Sequence, residues 1–206
     1  MTPAGRRGRR TGGARAGHAP GRGGGTVRII GGRWRGRRLR FPPVPGLRPT
    51  PDRVRETLFN WLAPIVPGAR CLDLYAGSGA LGLEALSRGA RELVMVEADP
   101  RAARALREHA RSLDAGALEV VQAPVERFLE GPGRPFDVVF LDPPYRRGLV
   151  APACARLEAG GWLAPEAWIY VEAERELDPL PVPANWAVHR RQHAGQVEGW
   201  LLHRRP

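Results

Sequence analysis

A doubly wound, mostly parallel α/β sheet is the fold class that this sequence predicts, and three observations predict it. From residue 70 onward, short apolar runs alternate with longer stretches of helical periodicity. The first of those runs leads into a glycine-rich turn, Gly77-Ser78-Gly79-Ala80-Leu81-Gly82, that opens a helix. A later run, Phe136-Asp137-Val138-Val139-Phe140-Leu141, ends in Asp142-Pro143-Pro144-Tyr145, where two prolines fix φ and remove two N–H donors.

The elements follow in chain order. Residues 27–39 alternate apolar and basic side chains around Gly31-Gly32, which predicts a small hairpin presenting Arg33, Arg35 and Arg37. A proline-rich connector over residues 41–51 leads to a helix, capped by Thr50 with Pro51 at its first position, that runs to about Leu62. Val54, Leu58, Trp61 and Leu62 share its apolar face, and Arg53, Arg55 and Glu56 are the polar remainder. Strands are expected near residues 70–74, 92–97, 118–121, 136–141 and 167–171, with a final antiparallel pair near 186–190 and 196–203. Helices are expected near 79–88, 100–113, 125–129 and 149–157, with Gly89 as a stop. At 206 residues the chain has room for one such domain with a full core, and not for a second large one.

Charge is distributed unevenly. Every basic residue is arginine, and thirteen of the 32 fall before Asp52, where no acid occurs; the remaining nineteen face 21 acids. The formal net charge of +11 therefore lies entirely in the first quarter of the chain. A basic arm on a near-neutral domain is the footprint of a polyanionic partner, and arginine forks match phosphates bidentately.

Two motifs carry the chemistry. Asp142 and Tyr145 stand at the carboxyl end of a buried strand, the edge at which open α/β sheets bind ligands. A carboxylate, a free carbonyl at Pro143 and a ring suit a flat substrate with an NH₂ group, such as a nucleobase; a rigid turn without chemistry is the other reading of Asp-Pro-Pro. Gly77, Gly79 and Gly82 have the spacing of a nucleoside-cofactor loop, and the next apolar run ends at Glu97, roughly 20 residues after the first glycine, where an acid accepts from ribose hydroxyls. A dinucleotide would set a pyrophosphate on the helix N-terminus, whereas S-adenosylmethionine has no phosphate and carries a sulfonium and an ammonium. Asp73, ahead of the glycines, favours the cationic ligand, and a methyl donor beside an amine pocket joins both motifs in one site.

The chain also resembles a known family. The segments Arg28-Ile29-Ile30-Gly31-Gly32-Arg33-Trp34-Arg35-Gly36-Arg37, Leu47-Arg48-Pro49-Thr50, Asp52-Arg53-Val54-Arg55-Glu56-Thr57-Leu58-Phe59-Asn60-Trp61-Leu62, Leu83-Glu84-Ala85-Leu86-Ser87-Arg88 and Asp142-Pro143-Pro144-Tyr145-Arg146-Arg147-Gly148-Leu149 are similar to the bacterial 16S ribosomal RNA guanine-N2 methyltransferases. The likeness covers nearly everything from Val27 onward, and its N-terminal blocks are the specific part.

The resemblance implies a Rossmann-like class I methyltransferase domain with a seven-stranded sheet and a reversed strand from the terminal hairpin. It implies transfer of one methyl group from S-adenosylmethionine to N2 of a guanine in 16S rRNA, within an assembling or assembled small ribosomal subunit, leaving S-adenosylhomocysteine. Residues 1–26 are then a basic, disordered extension, 27–62 an RNA-binding hairpin, connector and helix, and 63–206 the catalytic domain. Asp142, Pro143 and Tyr145 are expected to act on the amine, and Asp73, Tyr75, Gly77, Gly79, Glu97, Ala98 and Val125 to hold the cofactor. The RNA-facing set is Arg33, Trp34, Arg35, Arg37, Arg48, Arg53 and Arg55, with Trp34 stacking on a base. Related methyltransferases often place an Asp or Asn where Pro124 stands here, which leaves the adenine contact to a backbone N–H of Val125.

Other chemistry is weaker. Cys71 and Cys154 lack metal spacing, and His189 and His193, four apart in a strand and turn, suggest no metal. No segment reaches the roughly 18 apolar residues of a membrane span, and two cysteines without an apolar leader point to the cytoplasm; a monomer is the expected state, which nothing in the sequence fixes. Three alternatives remain at this level: an adenine-N6 methyltransferase of DNA, a glutamine-amide methyltransferase of protein, and an RNA-binding factor without activity.

Overall fold

The strands Arg70–Leu74, Glu92–Glu97 and Phe136–Leu141, whose central residues are almost continuously apolar, can be buried only inside a sheet covered on both faces, and the chain folds that way. The structure, a computed structural model, describes residues 24–47, 50–195 and 197–205. Its elements are β1 (Gly25–Arg28), β2 (Arg38–Phe41), α1 (Asp52–Trp61), β3 (Arg70–Leu74), α2 (Ala80–Ser87), β4 (Glu92–Glu97), α3 (Pro100–Ser112), β5 (Leu118–Gln122), α4 (Val125–Phe128), β6 (Phe136–Leu141), α5 (Val150–Ala159), β7 (Leu163–Glu174), β8 (Trp186–Ala194) and β9 (Val197–Arg204). The main sheet has the order β5-β4-β3-β6-β7-β9-β8. The first five strands of that order are parallel, and β9 lies antiparallel to both β7 and β8. This is the doubly wound, Rossmann-like arrangement of class I methyltransferases. The order reverses at β3, so the carboxyl ends of β3, β4 and β6 open onto one crevice. Among the described residues no helix is long and apolar enough to cross a membrane.

Two buried clusters flank the sheet. One joins α1, α2 and the hairpin through Leu58, Phe59, Leu83 and Phe140; the other joins α4 and α5 through Val125, Leu157 and Trp162. The terminal strands are held against α5 by Glu158, which accepts from Trp186 Nε1 at 2.8 Å and from Arg204 Nε at 2.8 Å. The Arg204 guanidinium, with the Trp186 and Asn185 donors, holds the Glu158 carboxyl down at about 2 despite partial burial. β7 extends beyond the expected 167–171 at both ends: Leu163 pairs with Phe136 of β6 at its start, and β9 pairs with it from Trp168 through to Glu174.

The expected N-terminal hairpin is present, with Arg33, Arg35 and Arg37 exposed on it, but it is not a free-standing element. β1 and β2 pair antiparallel, and their connecting turn is docked on the end of α2. There the Trp34 N–H donates to Ser87 Oγ at 2.9 Å, the Arg33 N–H donates to the Ser87 carbonyl at 2.7 Å, and Ser87 Oγ donates to the Gly31 carbonyl at 2.6 Å. A Cβ on Gly32 would lie 1.9 Å from the Ser87 carbonyl oxygen, so only glycine permits this approach. Val27, Ile29, Trp34 and Leu39 thereby join the same core as the sheet.

Two expectations about α1 are corrected. Its N-cap is Pro51 with no side-chain cap, and Thr50 is buried, its carbonyl accepting from Arg55 Nε at 3.1 Å. Arg55 belongs to the buried face rather than the polar remainder. It is 1% exposed and donates to Asp52 Oδ1 at 2.6 Å and to the Arg28 carbonyl at 2.8 Å, with Glu84 Oε2 at 3.5 Å.

Candidate active site

The glycine loop is shaped by two carboxylates. After β3 the chain turns back into α2 through Gly77 at φ 53° and Gly79 at φ 76°, a left-handed region that glycine enters without strain. Asp73 is 2% exposed and accepts the Gly82 N–H at 2.9 Å. Glu97, at the end of β4, accepts the Gly77 N–H at 2.7 Å through one oxygen and the Asp99 N–H at 2.7 Å through the other. Each of those oxygens keeps a lone pair for a further donor. Tyr75 adopts φ 61°, unusual for a bulky residue, and its hydroxyl donates to Glu126 Oε1 at 3.1 Å.

Burial pushes the Asp73 carboxyl up to about 7; the Gly82 N–H opposes that shift and the Glu97 charge adds to it. A carboxyl raised on folding stabilises the fold below its unfolded pKa, and that contribution is lost as pH rises through the folded value. The cofactor-free protein is therefore expected to lose on the order of a few kcal/mol between about pH 4 and pH 8 from this group. Thermal denaturation across that range should show a falling Tm in the wild type and a flatter profile in Asp73→Asn; parallel profiles would refute the assignment.

The second edge comes from β6. Asp142 is half-buried, Pro143 is buried, and Pro144 and Tyr145 are exposed at the rim. Burial, then the neighbouring Glu172 and Asp73 carboxyls, holds Asp142 well above the usual carboxylate range. Burial and the Asp142 and Glu172 charges likewise raise the Tyr145 phenol, which stays protonated.

These edges face each other across a cavity of about 690 Å³. Asp73, Tyr75, Gly77, Glu97, Ala98, Val125, Asp142, Pro143 and Tyr145 all line it. Gly79 does not; it stands at the start of α2 and shapes the loop from behind. Four acids, Asp73, Glu97, Glu126 and Asp142, and no arginine are found among its described lining residues. That donor set fits a cationic nucleoside such as S-adenosylmethionine and opposes a pyrophosphate. Pro124 lines the cavity beside Val125.

Three contributions were missed in the sequence. Val44 to Leu47 close over the cavity, with Leu47 Cδ1 only 3.6 Å from where a Gly77 Cβ would lie. Glu126 accepts from Tyr75, and Glu172 on β7 sits buried behind Asp142. A proline-rich connector carries no periodic signal, and Glu172 falls one position beyond the strand expected over residues 167–171.

The RNA-facing set divides. Arg33, Arg35, Arg37 and Arg53 are exposed, and Arg37 reaches the Ser112 carbonyl at 3.2 Å. Trp34 and Arg55 are interior groups at 9% and 1% exposure, so neither is offered to RNA. Arg48 lies outside the described residues, as do residues 1–23 of the basic extension.

Comparison with known proteins places these features in company. The model of a family described as "Conserved hypothetical protein 95" matches residues 27–203. Ribosomal RNA small subunit methyltransferase D of Escherichia coli strain K12 is 54% identical over 182 residues, covering 88% of this chain and 92% of that one. The protein of the same description from Haemophilus influenzae is 46% identical over 177 residues, covering 84% and 91%. A solved Escherichia coli structure, 54% identical, superposes with a TM-score of 0.81 over 88% of this chain and 99% of its own.

Proposed function

The chain belongs to the Conserved hypothetical protein 95 family, and from that premise we propose that this methyltransferase of small-subunit ribosomal RNA acts on the exocyclic N2 of one guanine in 16S rRNA, with S-adenosylmethionine as donor. The observation that carries the proposal is the meeting of Asp142-Pro143-Pro144-Tyr145 and the acidic glycine loop in a single cavity. Bound there, the cofactor supplies an electrophilic methyl group on a sulfonium. Asp73, Tyr75, Gly77 and Ala98 surround its methionine and ribose parts, Gly79 shapes the loop beneath, Glu97 accepts from the ribose hydroxyls, and the Val125 N–H serves the adenine. No metal enters this reading.

The chain's own residues handle the amine. Guanine N2 is a poor nucleophile because its lone pair is conjugated with the ring. Accepting its two N–H bonds at the Asp142 carboxylate and the Pro143 carbonyl draws the nitrogen toward tetrahedral geometry and aims the lone pair at the methyl carbon. Tyr145, exposed at the rim, stacks on a base taken out of its RNA context. Asp142 then accepts the proton that the methylated nitrogen sheds.

The substrate form in this reading is an assembling or assembled small subunit, met by a cytoplasmic monomer. Arg33, Arg35, Arg37 and Arg53 supply phosphate contacts from the hairpin and α1. Replacing Arg33, Arg35 and Arg37 together by Gln is expected to weaken subunit binding and to flatten the slope of log affinity against log salt by about 2, since each lost contact removes roughly 0.7–0.9. An unchanged slope in a filter-binding titration would show that the hairpin does not touch RNA.

The activity itself is tested by incubating the protein with tritiated S-adenosylmethionine and unmodified small-subunit particles, naked 16S rRNA or duplex DNA. N2-methylguanosine from particles or rRNA supports the proposal and identifies the form that is read. Label in DNA adenine, or no label despite cofactor binding, overturns it.

A further inference from the structure

Glu172 has no part in the chemistry above, yet its surroundings are built for it. Leu141 pairs with Val171 in register, so Asp142 and Glu172 follow as neighbours at the ends of two parallel strands. Glu172 is 4% exposed, an expensive position for a carboxylate. Its surroundings come from three strands. Glu172 and Gln192 both pair with Gly199, so the three lie in one row across β7, β9 and β8. The Tyr170 ring leans over the gap: a Cβ at Gly199 would lie 2.3 Å from the Tyr170 oxygen. From that position the Tyr170 hydroxyl donates to Glu172 Oε1 at 3.0 Å and accepts from Gln192 Nε2 at 3.0 Å, while the same amide nitrogen lies 3.3 Å from the Val54 carbonyl.

We propose, resting on the functional reading above, that Glu172 is a positioning residue for methyl transfer, forming with Asp142 a carboxylate pair at the cavity's inner edge that receives the proton released by the methylated amine. The transfer forms one N–C bond as one C–S bond breaks, the C–S electron pair stays with sulfur, and the ammonium left on N2 gives its proton to the Asp142 carboxylate. Glu172 acts through Asp142: a fixed negative charge beside it makes that carboxylate a stronger proton acceptor than it would be alone. The other ionisable groups around the pair are Asp73 from β3, Tyr145 after β6, and Tyr170 and Glu174 on β7. Burial raises the Glu172 carboxyl, and the Tyr170, Thr50 and Tyr145 hydroxyls oppose that by favouring its ionised form. Those hydroxyls favour the ionised form at Glu172, where Asp142 has burial and two carboxyl charges against it, so in this proposal the proton goes to Asp142.

The test is the pH dependence of kcat for rRNA methylation in wild type, Glu172→Gln and Glu172→Asp, with cofactor binding and the pH dependence of Tm measured on cofactor-free protein. Glu172→Gln keeps the shape and removes the charge, so Asp142 ionises more readily and the acid limb should move down by about one pH unit or more, with a correspondingly flatter Tm profile. Glu172→Asp keeps the charge and should retain most of the wild-type profile. An unmoved limb in a folded, cofactor-binding Glu172→Gln protein, or an equal shift in Glu172→Asp, would overturn the proposal. If Glu172→Gln does not fold, Tyr170→Phe removes one donor from the same carboxyl and must also lower the limb; no movement there overturns it as well. A wild type that labels no guanine would end the functional reading and this inference together, whereas an active wild type with an unmoved limb ends only the inference.

Discussion

Asp142→Ala is expected to lower kcat/KM for methyl transfer by at least about 100-fold, or ~2.7 kcal/mol of transition-state stabilisation. The carboxylate is assigned two tasks that matter most as the nitrogen pyramidalises: accepting an N–H bond that strengthens as positive charge builds, and taking the proton afterwards. Both count for more in the transition state than in the ground state, so kcat should fall more than KM rises. Burial and two neighbouring carboxyls hold Asp142 high, which makes it a stronger base than an exposed aspartate. Asp142→Asn keeps one acceptor oxygen and loses the base, so it should fall between wild type and alanine. Single-turnover labelling of particles measures this directly. A loss below about threefold, ~0.7 kcal/mol, would remove Asp142 from the chemistry.

The largest effect on stability is expected from Arg55→Ala. Arg55 closes a buried network in which Glu84 is 0% exposed and also accepts the Ile30 N–H at 2.8 Å and Arg88 Nε at 2.7 Å. Removing the guanidinium strips the Thr50 and Arg28 carbonyls of a donor and leaves Glu84 one cation short in the interior. Breaking a buried pair from one side costs about 3–5 kcal/mol, which for a chain of this size lowers Tm by roughly 6–20 °C. Chemical denaturation should show this at unchanged m-value. The salt dependence of RNA binding should stay that of wild type, since the residue is interior. A ΔΔG below about 1 kcal/mol would mean that the network is dispensable. Arg55→Met with Glu84→Leu should recover part of the loss, because replacing both charges leaves neither stranded.

Arg55 also shows where sequence reasoning stops. Its periodic neighbours Val54 and Leu58 were legible as a buried face, but an arginine between them looks polar until Glu84, 29 positions away, is brought to it. Trp34 is the converse case, an aromatic among arginines whose ring is buried because Gly31-Gly32 dock the turn on α2. Glu172 fell just past the strand expected over residues 167–171 until β9 extended that strand and placed Gly199 beside it. In each instance the deciding contact lies far away in sequence, and periodicity within one element carries no information about it.

What the sequence determined alone was local and strongly constrained: β3, β4 and β6 at the expected positions, a glycine turn before α2, and the Asp-Pro-Pro-Tyr edge after β6. Those follow from chain geometry, because an apolar run must enter a sheet, glycines permit the tight turn, and two prolines end a strand. The tertiary structure decided which charges are paired, which aromatic is core, and that four carboxyls line one cavity with a fifth buried behind Asp142. A carboxylate's ionisation and an arginine's role depend on dielectric and on neighbours within a few ångströms, and only the folded chain supplies either.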